Sequence, residues 1–171
     1  LITRKKIDLL NKKKIKQFFL RNNPDLIIHC AAKVGGIGAN YKNNYDFFDL
    51  NLKINHNVIT AAKEAKISKL INFGSSCMYP ISAKKPLQED SISIHNLEKT
   101  NEGYALSKII SLSLCNLINK DKFFKYVTVI PCNLYGNFDN FDTDSSHLIA
   151  AAIKKIITAK LNKSNDIEIW G

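Results

Sequence analysis

The chain has 171 residues, 45% hydrophobic and 23% charged, with 7 Gly and 4 Pro. That is the composition of one globular domain, not of a disordered chain, and no apolar run reaches the ~18 residues of a membrane span. The net charge of +10 comes from 23 lysines and 2 arginines, beside 19 asparagines and 23 isoleucines. This pattern points to an AT-biased genome and away from a nucleic-acid surface, where the arginine fork is preferred.

Residues 11–22 read as a helix stopped by Pro24. Residues 25–31 are a short apolar run of the buried parallel-strand type. Apolar groups at Phe47, Leu50, Ile54, Val58, Ala61, Ala62 and Ala65 predict a helix over 44–66. A second buried strand follows at 69–73, then a helix at 100–119 and a third strand at 126–132. A helix at 145–160, opened by a serine cap, and a fourth strand at 166–170 complete the series. Strands alternating with helices imply an α/β fold with a parallel sheet, whose ligands bind beyond the C-terminal strand ends. Chemistry is therefore expected just after Ile28, Phe73 and Ile130, where small and polar residues follow.

The four cysteines, Cys30, Cys77, Cys115 and Cys132, form no C-x-x-C pair. They read as reduced thiols of a cytoplasmic protein, and no metal site is expected. No signal-peptide pattern opens the chain, and its first residue is Leu.

Tyr104 and Lys108 stand four apart on a predicted helix and share a face. A neighbouring ammonium favours the phenolate, so Lys108 is expected to lower the Tyr104 pKa. Taken alone, the pair reads as a solvated helix pair, and Ser75 and Ser76 as ordinary turn residues. Together, a strand ending in Gly74-Ser75-Ser76 and a Tyr-x-x-x-Lys helix about 30 residues later describe a carbonyl-reducing site.

These residues resemble the extended short-chain dehydrogenase/reductases. The stretches 31–37 (AAKVGGI), 74–80 (GSSCMYP), 100–105 (TNEGYA), 133–136 with 139–141, and Ser146-His147 are similar to the GDP-L-fucose synthase family. The resemblance covers essentially the whole chain. It implies a Rossmann-like parallel sheet with flanking helices, and reads residues 1–171 as a partial NAD(P)-binding domain. The implied reaction is NADPH-dependent epimerisation at C3 and C5 and reduction at C4 of GDP-4-keto-6-deoxy-D-mannose. Another nucleotide-sugar epimerase or dehydratase, or a non-catalytic remnant acting as a binding module, are the alternatives.

Role by role, the resemblance implies Ser75, Tyr104 and Lys108 as the reductase triad, Cys77 as the base and His147 as the opposing acid. A thiol and an imidazole bracket neutral pH, which suits proton exchange beside a ketone. On residue type alone Cys77 also reads as a buried structural thiol, the reading kept for Cys30, Cys115 and Cys132. No catalytic role is assigned to His29, His56 or His95. Implied NADP contacts are Arg4, Phe73, Gly74, Ser75, Ser76, Lys108, Pro131, Cys132, Asn133, Leu134 and His147. The basic stretch 3–6 favours a 2′-phosphate over a bare ribose. Lys155, where the family has an arginine, and Trp170 are implied substrate contacts. Gly36 and Gly38 do not make a dinucleotide fingerprint, because position 41 is Tyr. The glycine-rich phosphate loop and the later substrate lobe of the family are both missing, so the chain reads as a fragment cut at both ends. A homodimer pairing residues 44–66 and 100–119 is the assembly implied for the full-length protein.

Overall fold

The computed structural model describes residues 6–35, 41–142 and 146–168. Helix α1 (Lys12–Asn22) starts where the Asn11 side chain accepts a hydrogen bond from the Lys14 amide, and it ends at Asn23 in the left-handed region (φ 38°). Strand β1 (Ile27–His29), helix α2 (Asn44–Glu64), strand β2 (Lys69–Phe73), helix α3 (Glu102–Ile118), strand β3 (Lys125–Val129) and helix α4 (Leu148–Leu161) follow in order. A short 3₁₀ turn, Ser76–Met78, leaves the end of β2.

The three strands form a parallel sheet in the order β1-β2-β3. The register pairs Ile28 with Ile71, and Ile71 with Val127. This is the Rossmann-like arrangement expected. Because side chains alternate across a strand, Leu70 and Tyr126 face the helices with His29, Asn72 and Thr128. Leu70 is fully buried against Ile15 and Phe19 of α1, Val58, Ile59 and Ala62 of α2, and Cys115 and Ile118 of α3. A second cluster of Met78, Leu97, Ala105 and Ile109 joins the 3₁₀ turn to α3. The opposite sheet face is bare of such packing: Ile28 is 59% exposed and Val127 55%. The strands were expected to be buried on both faces; only one face is covered among the described residues.

Two further expectations fail. Residues 166–168 form no strand, because the Lys155 ammonium and the Ser164 hydroxyl hold the Glu168 and Asp166 carbonyls, in competition with any ladder. Residues 169 and 170 lie outside the described residues. At the start of α4 the N-cap is His147, not a serine, and its side chain makes no cap bond. No helix among the described residues is long and apolar enough to cross a membrane.

Candidate active site

Lys108 is the anchor. It lies one turn below Tyr104 on α3, is 2% exposed, and donates its ammonium to the Phe73 carbonyl at 2.7 Å. Phe73 closes β2, so this bond ties the helix to the strand end. Burial draws the Lys108 pKa down to about 8. The same ammonium stands 5.6 Å from the centroid of the Tyr104 ring.

Burial pushes the Tyr104 phenol up to about 12, and the nearby Cys77 adds to the rise. This reverses the expected direction. Lys108 spends its charge on the Phe73 carbonyl, and desolvation of the phenolate outweighs what remains. Tyr104 is therefore a protonated phenol at neutral pH, a weaker acid than a free tyrosine.

The turn after β2 brings the third group in. Ser75 is half-buried, and its hydroxyl oxygen accepts from the Cys77 amide at 3.3 Å. Met78 is fully buried and its sulfur meets the Ser75 amide at 3.3 Å, which pins the turn against α3. A Cβ on Gly74 would meet that sulfur at 2.9 Å, so a side chain here would have to displace Met78 from the turn. Cys77 is left half-buried and free. The structure thus gathers Ser75, Cys77, Tyr104 and Lys108 at the C-terminal end of β2.

Beneath them runs a polar rung that sequence reading missed. The His29 Nε2 hydrogen donates to Asn55 Oδ1 at 2.9 Å. Asn72 donates to Ser111 Oγ at 3.1 Å and to Thr128 Oγ1 at 3.2 Å. Ser111 and Ser107 donate to the Lys108 and Tyr104 carbonyls at 2.8 and 2.6 Å. The Asn72–Ser111 bond joins the sheet to α3, which carries Tyr104 and Lys108, and the His29–Asn55 bond joins it to α2. Polar residues at buried helical spacing, Asn51 and Asn55 on α2, were the available signal; the general excess of asparagine hid it.

His29 is 4% exposed, and burial lowers its pKa from 6.5 to about 4. The folded state therefore resists its protonation. Stability from this group is complete above pH 6.5 and is lost as pH falls toward 4, by up to about 3 kcal/mol. In denaturant titrations, His29→Gln should lose less unfolding free energy than wild type between pH 6.5 and 4. An identical acid slope would show that His29 is not held neutral.

The remaining expected contacts divide. Ser76, Cys132, Asn133 and Leu134 are exposed at the ends of β2 and β3, and Pro131 is half-buried. They edge the same strand ends and leave them open to a ligand. Cys30 and Cys132 are exposed, so only Cys115 fits the buried-thiol reading. Both sit beyond a strand end, where the helix layer stops. His147 is exposed, and no hydrogen bond among the described residues joins it to Ser75, Cys77 or Tyr104. Lys155 is engaged with the Glu168 carbonyl at 2.8 Å. Arg4, Gly36, Gly38 and Trp170 lie outside the described residues.

Known proteins are similar to this chain in sequence and fold. The chain is 51% identical over 168 residues to a GDP-L-colitose synthase of Yersinia pseudotuberculosis, covering 98% of this chain and 54% of that protein. It is 39% identical over 169 residues to a GDP-L-fucose synthase of Escherichia coli strain K12, covering 99% and 53%. The crystal structure of a GDP-L-fucose synthetase from Naegleria fowleri bound to NADP superposes with a TM-score of 0.87 at 27% identity, over 95% of this chain and 50% of that one. The chain thus spans about half the length of the relatives it matches. The model of the NAD dependent epimerase/dehydratase family matches residues 2–171, and the chain belongs to that family.

Proposed function

We propose that this chain is part of an NADPH-dependent epimerase/reductase that converts GDP-4-keto-6-deoxy-D-mannose to GDP-L-fucose. The observation that carries the reading is the grouping of Lys108, Tyr104, Ser75 and Cys77 at one strand end. Residues 1–171 are read as part of a NAD(P)-binding domain.

The residues present fit a nicotinamide cofactor: Lys108 is fixed at the strand end, and Ser76, Cys132, Asn133 and Leu134 stand uncovered around it. Phe73, Gly74, Ser75, Pro131 and His147 complete the proposed contacts, with Arg4 for the 2′-phosphate. NADPH, when bound, supplies the hydride that reduces a ketone. Tyr104, protonated at neutral pH, supplies the proton to the oxygen so formed, because even a phenol at about 12 is a stronger acid than the alcohol produced. Lys108 holds a positive charge beside that oxygen, and the Ser75 hydroxyl hydrogen-bonds it. Before reduction, Cys77 removes the proton from the carbon beside the ketone, and His147 returns one on the opposite face. Lys155 and Trp170 are assigned to the nucleotide sugar.

The experiment uses the full-length protein in D₂O without NADPH. Cys77→Ser should slow deuterium entry at C3 and C5 of the keto sugar by about 10²-fold or more. Exchange at the wild-type rate would remove Cys77 as the base.

The higher identity to a GDP-L-colitose synthase favours a second reading. Colitose is the 3-deoxy counterpart of fucose, so only C5 would be inverted. Turnover of the 3-deoxy keto sugar in preference to its 3-hydroxy counterpart would select it. In either reading the protein is a cytoplasmic homodimer pairing α2 and α3. Exposed Ile110 and Leu117 on α3 support the pairing.

A further inference from the structure

Asn72 precedes the strand-end residue that Lys108 grips, and it is fully buried. Its Nδ2 donates to Ser111 Oγ at 3.1 Å. Ser111 Oγ donates in turn to the Lys108 carbonyl at 2.8 Å, and the Lys108 ammonium donates to the Phe73 carbonyl at 2.7 Å. Phe73 is covalently joined to Asn72, so the bonds close a ring through Asn72, Ser111, Lys108 and Phe73. The ring holds Lys108 at both ends, by its carbonyl and by its ammonium.

A lysine stem is flexible, so a bond to the ammonium alone leaves the helix free to shift beneath it. Ser111 stands three residues after Lys108, on the same face of α3. Its bond back to the Lys108 carbonyl leaves the oxygen's lone pairs for Asn72. The amide of Asn55 on α2 also reaches this stretch of α3, but its bond to the Ser107 carbonyl is 3.5 Å long.

Asn72 is a poor choice for stability alone. Its Oδ1 is buried and meets no hydrogen-bond partner among the described residues. A buried acceptor left unpaired destabilises a fold, and an apolar side chain of similar size would not add that penalty. Its two partners are bonded elsewhere as well: Ser111 has the Lys108 carbonyl, and Thr128 shares a side-chain hydrogen bond with Cys115.

We infer that Asn72 is a positioning residue: through Ser111 it fixes the turn of α3 at Lys108 against the end of β2, so that the ammonium stays on the Phe73 carbonyl. The inference rests on the role proposed above for Lys108. The other groups that bear on the Lys108 charge are His29 on β1, Cys30 beyond it, and Tyr104 on the same helix. None of them is altered by the substitutions that test the ring.

The test uses Asn72→Leu, Ser111→Ala and Thr128→Val in the full-length protein, read by thermal melting and by the pH profile of NADPH oxidation. A loosened bond to Phe73 favours the ammonium less, so Lys108 should lose its proton at lower pH. In Asn72→Leu the basic limb of kcat/KM should move down by about half a pH unit, and kcat should fall about 10-fold. Tm should stay within about 3 °C of wild type or rise, since the unpaired acceptor is gone. Ser111→Ala should move the limb in the same direction. The double variant of Asn72→Leu with Ser111→Ala should be no more impaired than the worse single variant, because either substitution opens the same ring. Thr128→Val removes the other partner of Asn72, which belongs to β3, and should leave the limb in place. A limb unmoved in either Asn72→Leu or Ser111→Ala, a loss of activity that only follows a fall in Tm, or an equal shift in Thr128→Val overturns the inference. A wild type with no limb near pH 8 overturns the Lys108 role itself.

Discussion

Tyr104→Phe in the full-length protein is expected to lower NADPH oxidation about 10³-fold while leaving the NADPH Kd within about twofold. The substitution removes one hydroxyl and keeps the ring against which Lys108 is packed. The loss is large because the proposed mechanism makes the phenol the proton source for the reduced oxygen. Its pKa, pushed up to about 12 by burial, keeps that proton in place across the working range. The pH profile follows from the two groups together. Tyrosine ionisation should not limit the wild type below about pH 10. Lys108, drawn down to about 8, loses its charge as pH rises through that value, so the basic limb of kcat/KM should fall there. Lys108→Met should abolish this limb along with most of the activity. Full NADPH oxidation by Tyr104→Phe would remove the phenol from the chemistry.

The largest structural effect is expected one residue earlier. Gly103 sits in the first turn of α3, where alanine is normally better by about 1 kcal/mol. A Cβ here would meet the Asn44 backbone oxygen at 2.2 Å and its Oδ1 at 2.7 Å. The first turn of α2 presses directly on the first turn of α3. Asn44 Oδ1 also accepts from the Gly103 amide at 2.6 Å, and its Nδ2 donates to the Lys99 carbonyl at 2.8 Å. Asn101, the N-cap of α3, makes no side-chain cap bond, so Asn44 caps the helix from its neighbour. Gly103→Ala must move backbone, not a flexible side chain, and should cost about 3 kcal/mol net, at the upper end of overpacking penalties. The displaced turn carries Tyr104, so NADPH oxidation should fall with Tm. A variant that melts at or above the wild-type temperature would show that the two helices do not meet so closely.

Much of this was legible in the chain. Helices and strands came from local patterns: apolar spacing for α2, and short apolar runs closed by Pro or Gly for β1 and β2. Their order gave the parallel sheet, its strand end pointed to Ser75, helical spacing pointed to Tyr104 and Lys108, and the family resemblance added Cys77. What stayed hidden depends on distance in sequence. The Asn44 contact with Gly103 and the hydrogen bond from the Lys33 amide to Asn51 join residues 59 and 18 apart. Nothing local marks Asn44, and the helical spacing of Asn51 with Asn55 is lost among 19 asparagines. The direction of the Tyr104 shift failed for a related reason. Spacing places a lysine beside the phenol, but only the fold shows that the ammonium is engaged with Phe73 and that burial dominates.

The most direct test of the central claim is one reaction of the full-length protein with GDP-4-keto-6-deoxy-D-mannose and NADPH in D₂O, its product read by NMR. The proposed site predicts GDP-L-fucose with deuterium at C3 and C5, the cofactor's hydrogen at C4, and one NADPH consumed per product. No NADPH consumption with this sugar, alongside turnover of a UDP-sugar, would contradict it.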